Sequence, residues 1–199
     1  MLLAHDIQHL GDGRDAVEKI LQRGGMVDGL RQLQREGRVR FIGVSGRLAE
    51  VVAAVQTGEF DVALSFNRFN LLDWSAEAAL LPQAEAHNVG VVMGGVFYQG
   101  FLSLPLDLVL QRVENGLLWA WDWTDKRRES VLNRLERLRE FVGDDLVALR
   151  RLAVQFVLSE PRVSVAVIGM KSAAEVTENL AAVAAGGLDA ETVARLKVL

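Results

Sequence analysis

The chain has 199 residues, half of them hydrophobic, and 22 Lys and Arg side chains against 26 Asp and Glu give a net charge of −4. This apolar content is ample for a packed core and excludes a disordered chain, while the mildly acidic balance provides no basic surface for nucleic acid or an anionic membrane. The absence of cysteine excludes disulfides, thiolate metal sites and a cysteine nucleophile. No apolar run approaches the roughly 18 residues of a spanning helix and no signal peptide is evident, so we expect a soluble cytoplasmic protein.

Five short apolar runs rich in Val, Ile or Phe predict strands that are buried on both faces. In chain order they are Leu2–Ile7, Val39–Val44, Asp61–Phe66, Val89–Gly94 and Val163–Ile168. Helical spacing lies between them, and the charged segment Lys126–Glu140 carries Val131, Leu135 and Leu138 at core positions. Strands that alternate with helices predict a parallel α/β sheet, either doubly wound or closed as a (β/α) barrel.

The segment Leu104–Thr124 interrupts this alternation and is predicted to be a long loop over one end of the sheet. It contains Trp119, Trp121 and Trp123, which either pack within the loop or form part of a substrate lid.

His5 ends the first predicted strand, in the sequence LLAHD. The carboxyl ends of parallel strands are where α/β active sites form, so His5 is a catalytic candidate, with a hydrogen-bonded structural histidine as the equal alternative. His9 and His87 lack this placement. The three histidines have no acidic residue at ligand spacing, so no metal site is expected.

The run Phe41–Gly46 predicts a buried strand that ends in Ser45 and Gly46. The serine hydroxyl can bond a ligand amide and the glycine lets a ligand approach the backbone; the alternative is that both simply begin the next helix. A hydrolase nucleophile elbow, G-x-S-x-G, is disfavoured because the second glycine comes one place early.

The segment Val165–Ala182 reads as a strand, a short polar loop and a helix with Ser172 as its N-cap. The amides at the helix start and Lys171 together suit a nucleotide phosphate. An ordinary strand-to-helix junction needs the same residues and is the alternative. The G-x-G-x-x-G dinucleotide fingerprint is absent.

Five segments in order resemble the aldo/keto reductase superfamily, and most closely its aldose, fucose and pyridoxal dehydrogenase branch. They are LLAHDIQHL, GLRQLQREGRVRFIGVSG, GEFDVALSFNRFNLLD, GVVMGGVFYQGFLS and SVAVIGMKSAAEVTENLAA. The resemblance covers essentially the whole chain and implies a (β/α)8 TIM barrel with NAD(P)-dependent oxidoreductase activity and no metal. Because five βα units cannot close that barrel, we expect residues 1–199 to be a single, N-terminally truncated domain that corresponds to units 4 to 8.

The family's catalytic group is an Asp, a Tyr, a Lys and a His, and only the histidine finds a match here, at His5. The resemblance implies that His5 orients and polarises the substrate carbonyl, while the proton-donor tyrosine has no counterpart in this chain. Tyr98, the sole tyrosine, matches a loop position after the family's seventh strand and is therefore not that acid.

For the nicotinamide end of the cofactor, the resemblance implies three positions on neighbouring strands. Ser45 matches the serine that bonds the nicotinamide amide, although its usual asparagine neighbour is Gly46 here. Phe66 stands where many members carry a glutamine. Gly94 stands where many carry the aromatic residue that stacks on the nicotinamide.

For the adenosine end, Glu178 and Asn179 match the pair that holds adenine, and the loop around the ribose and its phosphate matches Met170, Lys171 and Ser172. Glu175 occupies the position of an arginine that pairs with the 2′-phosphate in members that prefer NADP. A carboxylate repels that phosphate, so either cofactor is possible and NAD is slightly favoured.

The expected partners are a small-molecule carbonyl, aldehyde, alcohol or sugar substrate, with no nucleic acid or membrane, and self-association through open barrel edges is possible. A non-catalytic partial barrel that serves as a binding or assembly module is the alternative. A phosphate-binding barrel enzyme such as an isomerase is disfavoured by the E-N-L segment.

Overall fold

The computed structural model describes residues 1–116 and 124–199. A five-stranded sheet runs in chain order, and its strands are β1 (Leu2–Ala4), β2 (Ile42–Ser45), β3 (Val62–Phe66), β4 (Gly90–Gly94) and β5 (Val165–Val167). The first four strands pair in parallel. The five predicted strands and the α/β class are confirmed, and each strand is shorter than predicted.

Helices fill the segments between the strands. They are α1 (Arg14–Leu21), α2 (Met26–Arg35), α3 (Leu48–Val55), α4 (Ala76–Ala79), α5 (Leu81–Ala86), α6 (Leu106–Glu114), α7 (Asp125–Val142), α8 (Leu146–Leu158), α9 (Ala173–Ala184) and α10 (Ala190–Val198). Within the residues that the structure describes, no helix is long and apolar enough to cross a membrane.

The long loop predicted over Leu104–Thr124 is wrong in part, because helix α6 lies inside it. Pro105 precedes the helix with its φ at −51°, close to the helical value, and Val109 is fully buried. The helix begins LDLVL, and leucine at every second position resembles the alternation of a strand more than the spacing of a helix. The three tryptophans predicted for this loop lie outside the described residues.

The described chain divides into two compact units. Unit 1 is residues 1–68, 75–94 and 162–166, and unit 2 is residues 69–74, 95–161 and 167–199. The sequence expectation of a single incomplete domain stays a prediction.

In unit 1 the core lies on and under β2, which is buried at all four positions. Gly43 shows how closely the strands pack, since a Cβ there would lie 2.6 Å from the Val62 carbonyl oxygen and 2.4 Å from Leu3 Cδ2. A side chain at this position therefore requires the neighbouring strands to shift, and the glycine is needed for the β1–β2–β3 spacing.

In unit 2 an arginine of α7 connects segments that are distant in sequence. Arg134 donates from Nη2 to the Leu196 carbonyl at 2.7 Å and from Nε to the Leu71 carbonyl, and its guanidinium lies 4.1 Å from the centre of the Trp74 ring. Burial, with the positive charge of Arg137, lowers the pKa of Arg134 to about 10. The two carbonyls and the ring compensate for this desolvation.

Candidate functional site

His5 is the first residue beyond β1, at the carboxyl end of the strand. Its Nδ1 lies 3.1 Å from the Asp6 carboxylate, and the imidazole is 63% exposed. Asp6 itself has left-handed backbone angles, with φ at 53°, a conformation that aspartate tolerates better than most residues. The backbone turn after β1 therefore brings a carboxylate to the histidine.

Ser45 is the last residue of β2 and is buried. Its Oγ accepts a hydrogen bond of 3.0 Å from the peptide N–H of Asp6. Because the hydroxyl accepts in this bond, its own proton remains available to a ligand acceptor. Gly46 beside it leaves little room, since a Cβ there would lie 3.1 Å from Gln8 Oε1.

Phe66 and Gly94 end β3 and β4 and are register partners. The Phe66 ring is 46% exposed, and a Cβ on Gly94 would lie 3.1 Å from its Cδ2. The glycine therefore provides the space that the Phe66 ring occupies. The parallel sheet of unit 1 thus brings His5, Ser45, Phe66 and Gly94 to the same edge.

The predicted adenosine-end residues belong to unit 2, where they surround a cavity of about 650 Å³. This is a typical size for a small-molecule site. The predicted residues that line it are Met170, Lys171, Glu175, Glu178 and Asn179. Two cationic side chains that the sequence analysis did not single out, Arg112 of α6 and Arg150 of α8, line it as well.

Ser172 and Glu175 lie at the start of α9, and their side chains form hydrogen bonds with the backbone there. Ser172 is the N-cap, and its Oγ accepts from the Glu175 N–H at 3.2 Å. The Glu175 carboxylate in turn accepts from the Lys171 N–H at 2.8 Å. This reciprocal pair resembles a capping box and fixes a negative charge at the start of the helix.

Arg150 and Glu178 form a two-point ion pair between α8 and α9. Arg150 Nη2 donates to Glu178 Oε2 at 2.8 Å, and Arg150 Nε donates to Oε1. The hydrogen bonds from Arg150 lower the pKa of the Glu178 carboxyl against the opposing effect of its partial burial. The same bonds raise the pKa of Arg150. Both groups are therefore charged over the whole neutral range.

The loop after β4 contributes the opposite wall of the cavity through Gly100 and its neighbours. Tyr98, Gln99 and Gly100 have φ values of 46°, 55° and 98°, three left-handed residues in succession. Tyr98 is buried, and its hydroxyl accepts from Arg127 Nε at 3.5 Å. The expectation that Tyr98 is not the family's proton-donor tyrosine stays a prediction.

No local sequence pattern identifies Arg112 or Arg150 as a site residue, because each needs a tertiary neighbour to acquire a role. Arg112 donates to the Gln99 carbonyl at 3.3 Å. Arg150 is one of two consecutive arginines in the otherwise uncharged helix α8, and arginine in a sequence is typical of solvent exposure. No local pattern relates it to a glutamate 28 residues further along the chain.

Residues 2–199 match the model of the aldo/keto reductase family. The chain is 27% identical over 183 residues to a pyridoxal 4-dehydrogenase of Microbacterium luteolum, an alignment that covers 90% of this chain and 51% of that protein. It is 27% identical over 180 residues to an L-galactose dehydrogenase of Arabidopsis thaliana, covering 87% of this chain and 52% of the relative.

Among solved structures, an aldo-keto reductase from Bacillus halodurans in its holo form matches with a TM-score of 0.70 and 23% identity, covering 98% of this chain and 59% of that one. The chain therefore belongs to the aldo/keto reductase family, and its fold corresponds to part of that family's barrel. It spans about half the length of the curated relatives it matches.

We expect Ser45→Ala to lower the free energy of unfolding, because the Asp6 N–H loses its acceptor. An unsatisfied peptide group costs about 1–3 kcal/mol, to be measured by urea unfolding. Ser65→Ala, a buried serine on β3 with no part in the Asp6 contact, is the matched control. Equal decreases in the free energy of unfolding for the two variants would contradict a specific role for the Ser45 hydroxyl.

Proposed function

We propose that this chain carries the cofactor-binding residues of an NAD(P)-dependent aldo/keto reductase that acts on sugar-like or aldehyde and alcohol substrates. The observation that carries the proposal is the unit 2 cavity. Four residues matched by resemblance to the adenosine end of a dinucleotide, Met170, Lys171, Glu178 and Asn179, line that one cavity. The names of the relatives, a pyridoxal and an L-galactose dehydrogenase, support a small polar carbonyl or hydroxyl substrate.

The residues around the cavity fit such a cofactor. Asn179 is largely buried and lines the cavity, so its side-chain amide can pair with a ligand there. Three cationic side chains against two carboxylates leave the lining net positive, which suits an anionic ligand.

When bound, the nicotinamide supplies or accepts the hydride. The chain's own contribution to chemistry is proposed to be His5. His5 Nδ1 lies 3.1 Å from the Asp6 carboxylate and the imidazole is 63% exposed, so the opposite ring nitrogen, Nε2, is open to the oxygen of a substrate carbonyl or hydroxyl. The Ser45 hydroxyl, free to donate, suits the carbonyl of the nicotinamide amide.

A second candidate function is that of a binding module without catalysis, and the burial of Tyr98 favours it. The only tyrosine of the chain is buried against Arg127. A positioned proton donor typically contributes about 10²–10⁴-fold to a reduction of this kind, and no such donor is matched here. Binding with little turnover is the expected behaviour of the 199-residue chain.

We expect NAD to bind at least as tightly as NADP. Glu175 is held at the start of α9 by the Lys171 N–H, and its charge opposes a 2′-phosphate, with Lys171 as partial compensation. Calorimetric titration of both cofactors into the chain measures the difference, and Glu175→Gln should shift it towards NADP. Clearly tighter NADP binding by the unmodified chain would overturn this expectation.

We expect the chain alone to consume NADH negligibly with any aldehyde or sugar. The assay compares it with a version extended by upstream βα units, at equal cofactor occupancy. Comparable rates from both would mean that the acid lies in this chain. Tyr98→Phe then tests the one tyrosine, and we expect that variant to behave like the parent because Tyr98 is buried.

We also expect the chain to self-associate. The apolar side chains of the first and last strands are open to solvent, with Leu2 41% and Val165 and Val167 each 51% exposed. Exposed apolar edge strands pair readily with other chains. Size-exclusion chromatography with light scattering should show oligomers that diminish in Val165→Lys, with Val198→Lys, at the exposed C-terminal end of α10, as the control. A monomer with a sharp cooperative melt would contradict this.

A further inference from the structure

The ion pair between Arg150 and Glu178 fixes the orientation of the carboxylate as well as pairing its charge. Two guanidinium nitrogens bond two different carboxylate oxygens. Such a fork restrains the plane of the carboxylate, which a single contact leaves free to rotate. The two residues come from separate helices of unit 2, α8 and α9, so their backbones are held independently.

The pair faces a ligand site, because both side chains line the 650 Å³ cavity. Each carboxylate oxygen has two acceptor sites, so Glu178 paired with Arg150 still has capacity for a further donor. Asn179, the next residue, lines the same cavity with a buried amide. An acceptor of fixed orientation beside an amide is suited to a heterocycle that carries an exocyclic amino group.

We infer that Arg150 is a positioning residue for Glu178, holding its carboxylate where it accepts from the 6-amino group of a purine and so setting a preference for adenine nucleotides. The inference rests on the proposed function, since it assumes that the cavity receives the adenosine end of a cofactor. Arg150 acts through Glu178 and does not itself need to touch the ligand.

The ionisation of the pair supports this role. Arg150 keeps the pKa of Glu178 low, so the carboxylate remains a full acceptor as the pH falls from neutrality. Without Arg150, protonation begins nearer the usual value of about 4.3, and the amino-group contact is lost there first. The remaining charges around the pair are Arg112, Lys171 and Glu175 in the cavity and Asp145 at the N-terminus of α8.

The test compares AMP with purine riboside 5′-monophosphate, which differs from it only in lacking the 6-amino group. Calorimetry on the 199-residue chain should give AMP an advantage of about tenfold or more, as expected for a hydrogen bond to a charged group. Arg150→Met should reduce this advantage to about threefold or less. Arg150→Lys, which keeps the charge but cannot bond both oxygens, should fall in between.

The matched control is Arg151→Met, on the same helix, where Arg151 Nε donates to Gln155 Oε1 at 3.4 Å. It should retain the full AMP preference, and far-ultraviolet circular dichroism checks that each variant is folded. A second readout is the pH dependence of the AMP to purine riboside 5′-monophosphate affinity ratio, in which the titration of the shared phosphate cancels: between about pH 6 and pH 4.5 this ratio should fall further in Arg150→Met but not in the parent chain.

The outcomes separate the two proposals. If the parent chain binds neither nucleotide nor NAD, the proposed function fails and this inference fails with it. If the parent binds NAD and prefers AMP but Arg150→Met keeps that preference, the positioning role alone is overturned. If Arg150→Met loses both nucleotides equally, Arg150 bonds the phosphate directly, and the inference is likewise overturned.

Discussion

The parallel register of β1 to β4 is the constraint on which the candidate catalytic residues depend. Each of these strands contributes its last residues to the same edge, so side chains up to 90 positions apart in sequence become neighbours of one sheet edge. The bond from the Asp6 N–H to Ser45 then joins the first two strand ends directly. A one-residue slip of β1 against β2 would separate this pair and move His5 to the other face.

The unit 2 cavity depends on a different kind of interaction. There the residues are placed by helix ends and long charged side chains, with the N-cap of α9 setting Lys171 and Glu175 and the fork of Arg150 setting Glu178. Charged contacts of this kind are strong only when geometry and partial burial favour them. The positions of the polar side chains around this cavity therefore depend on the helix N-cap and the ion pair.

Much of this architecture was accessible from the sequence, for identifiable reasons. Buried parallel strands are continuous apolar runs, so the sequence predicts all five. The predicted strands are longer than the observed ones because an apolar run does not show where strand pairing stops. Helix α7 was found because Val131, Leu135 and Leu138 repeat at helical spacing, and all three are buried. Helix α6 was missed because one buried residue, Val109, carries its inner face.

The site residues likewise fall into those that the sequence predicts and those that it does not. His5, Ser45 and the Lys171–Asn179 segment are found by their position at strand ends or at a helix start. Arg150 is not, because its role exists only once α8 and α9 are folded. Before β4, which begins at Gly90, Asn88 takes the left-handed turn with φ at 54°. Asparagine is the residue other than glycine that most readily does so.

The left-handed backbone of Asp6 has a consequence for how this sequence can diverge. Its φ of 53° is strained for β-branched and bulky side chains but acceptable for aspartate, asparagine and glycine. Of these three only aspartate offers His5 a carboxylate, whereas all three keep the N–H that bonds Ser45. Related chains that carry asparagine or glycine here can thus retain the fold of the edge while altering the surroundings of the histidine. In such chains a single substitution at this position changes the charge beside the histidine without changing the backbone that holds it.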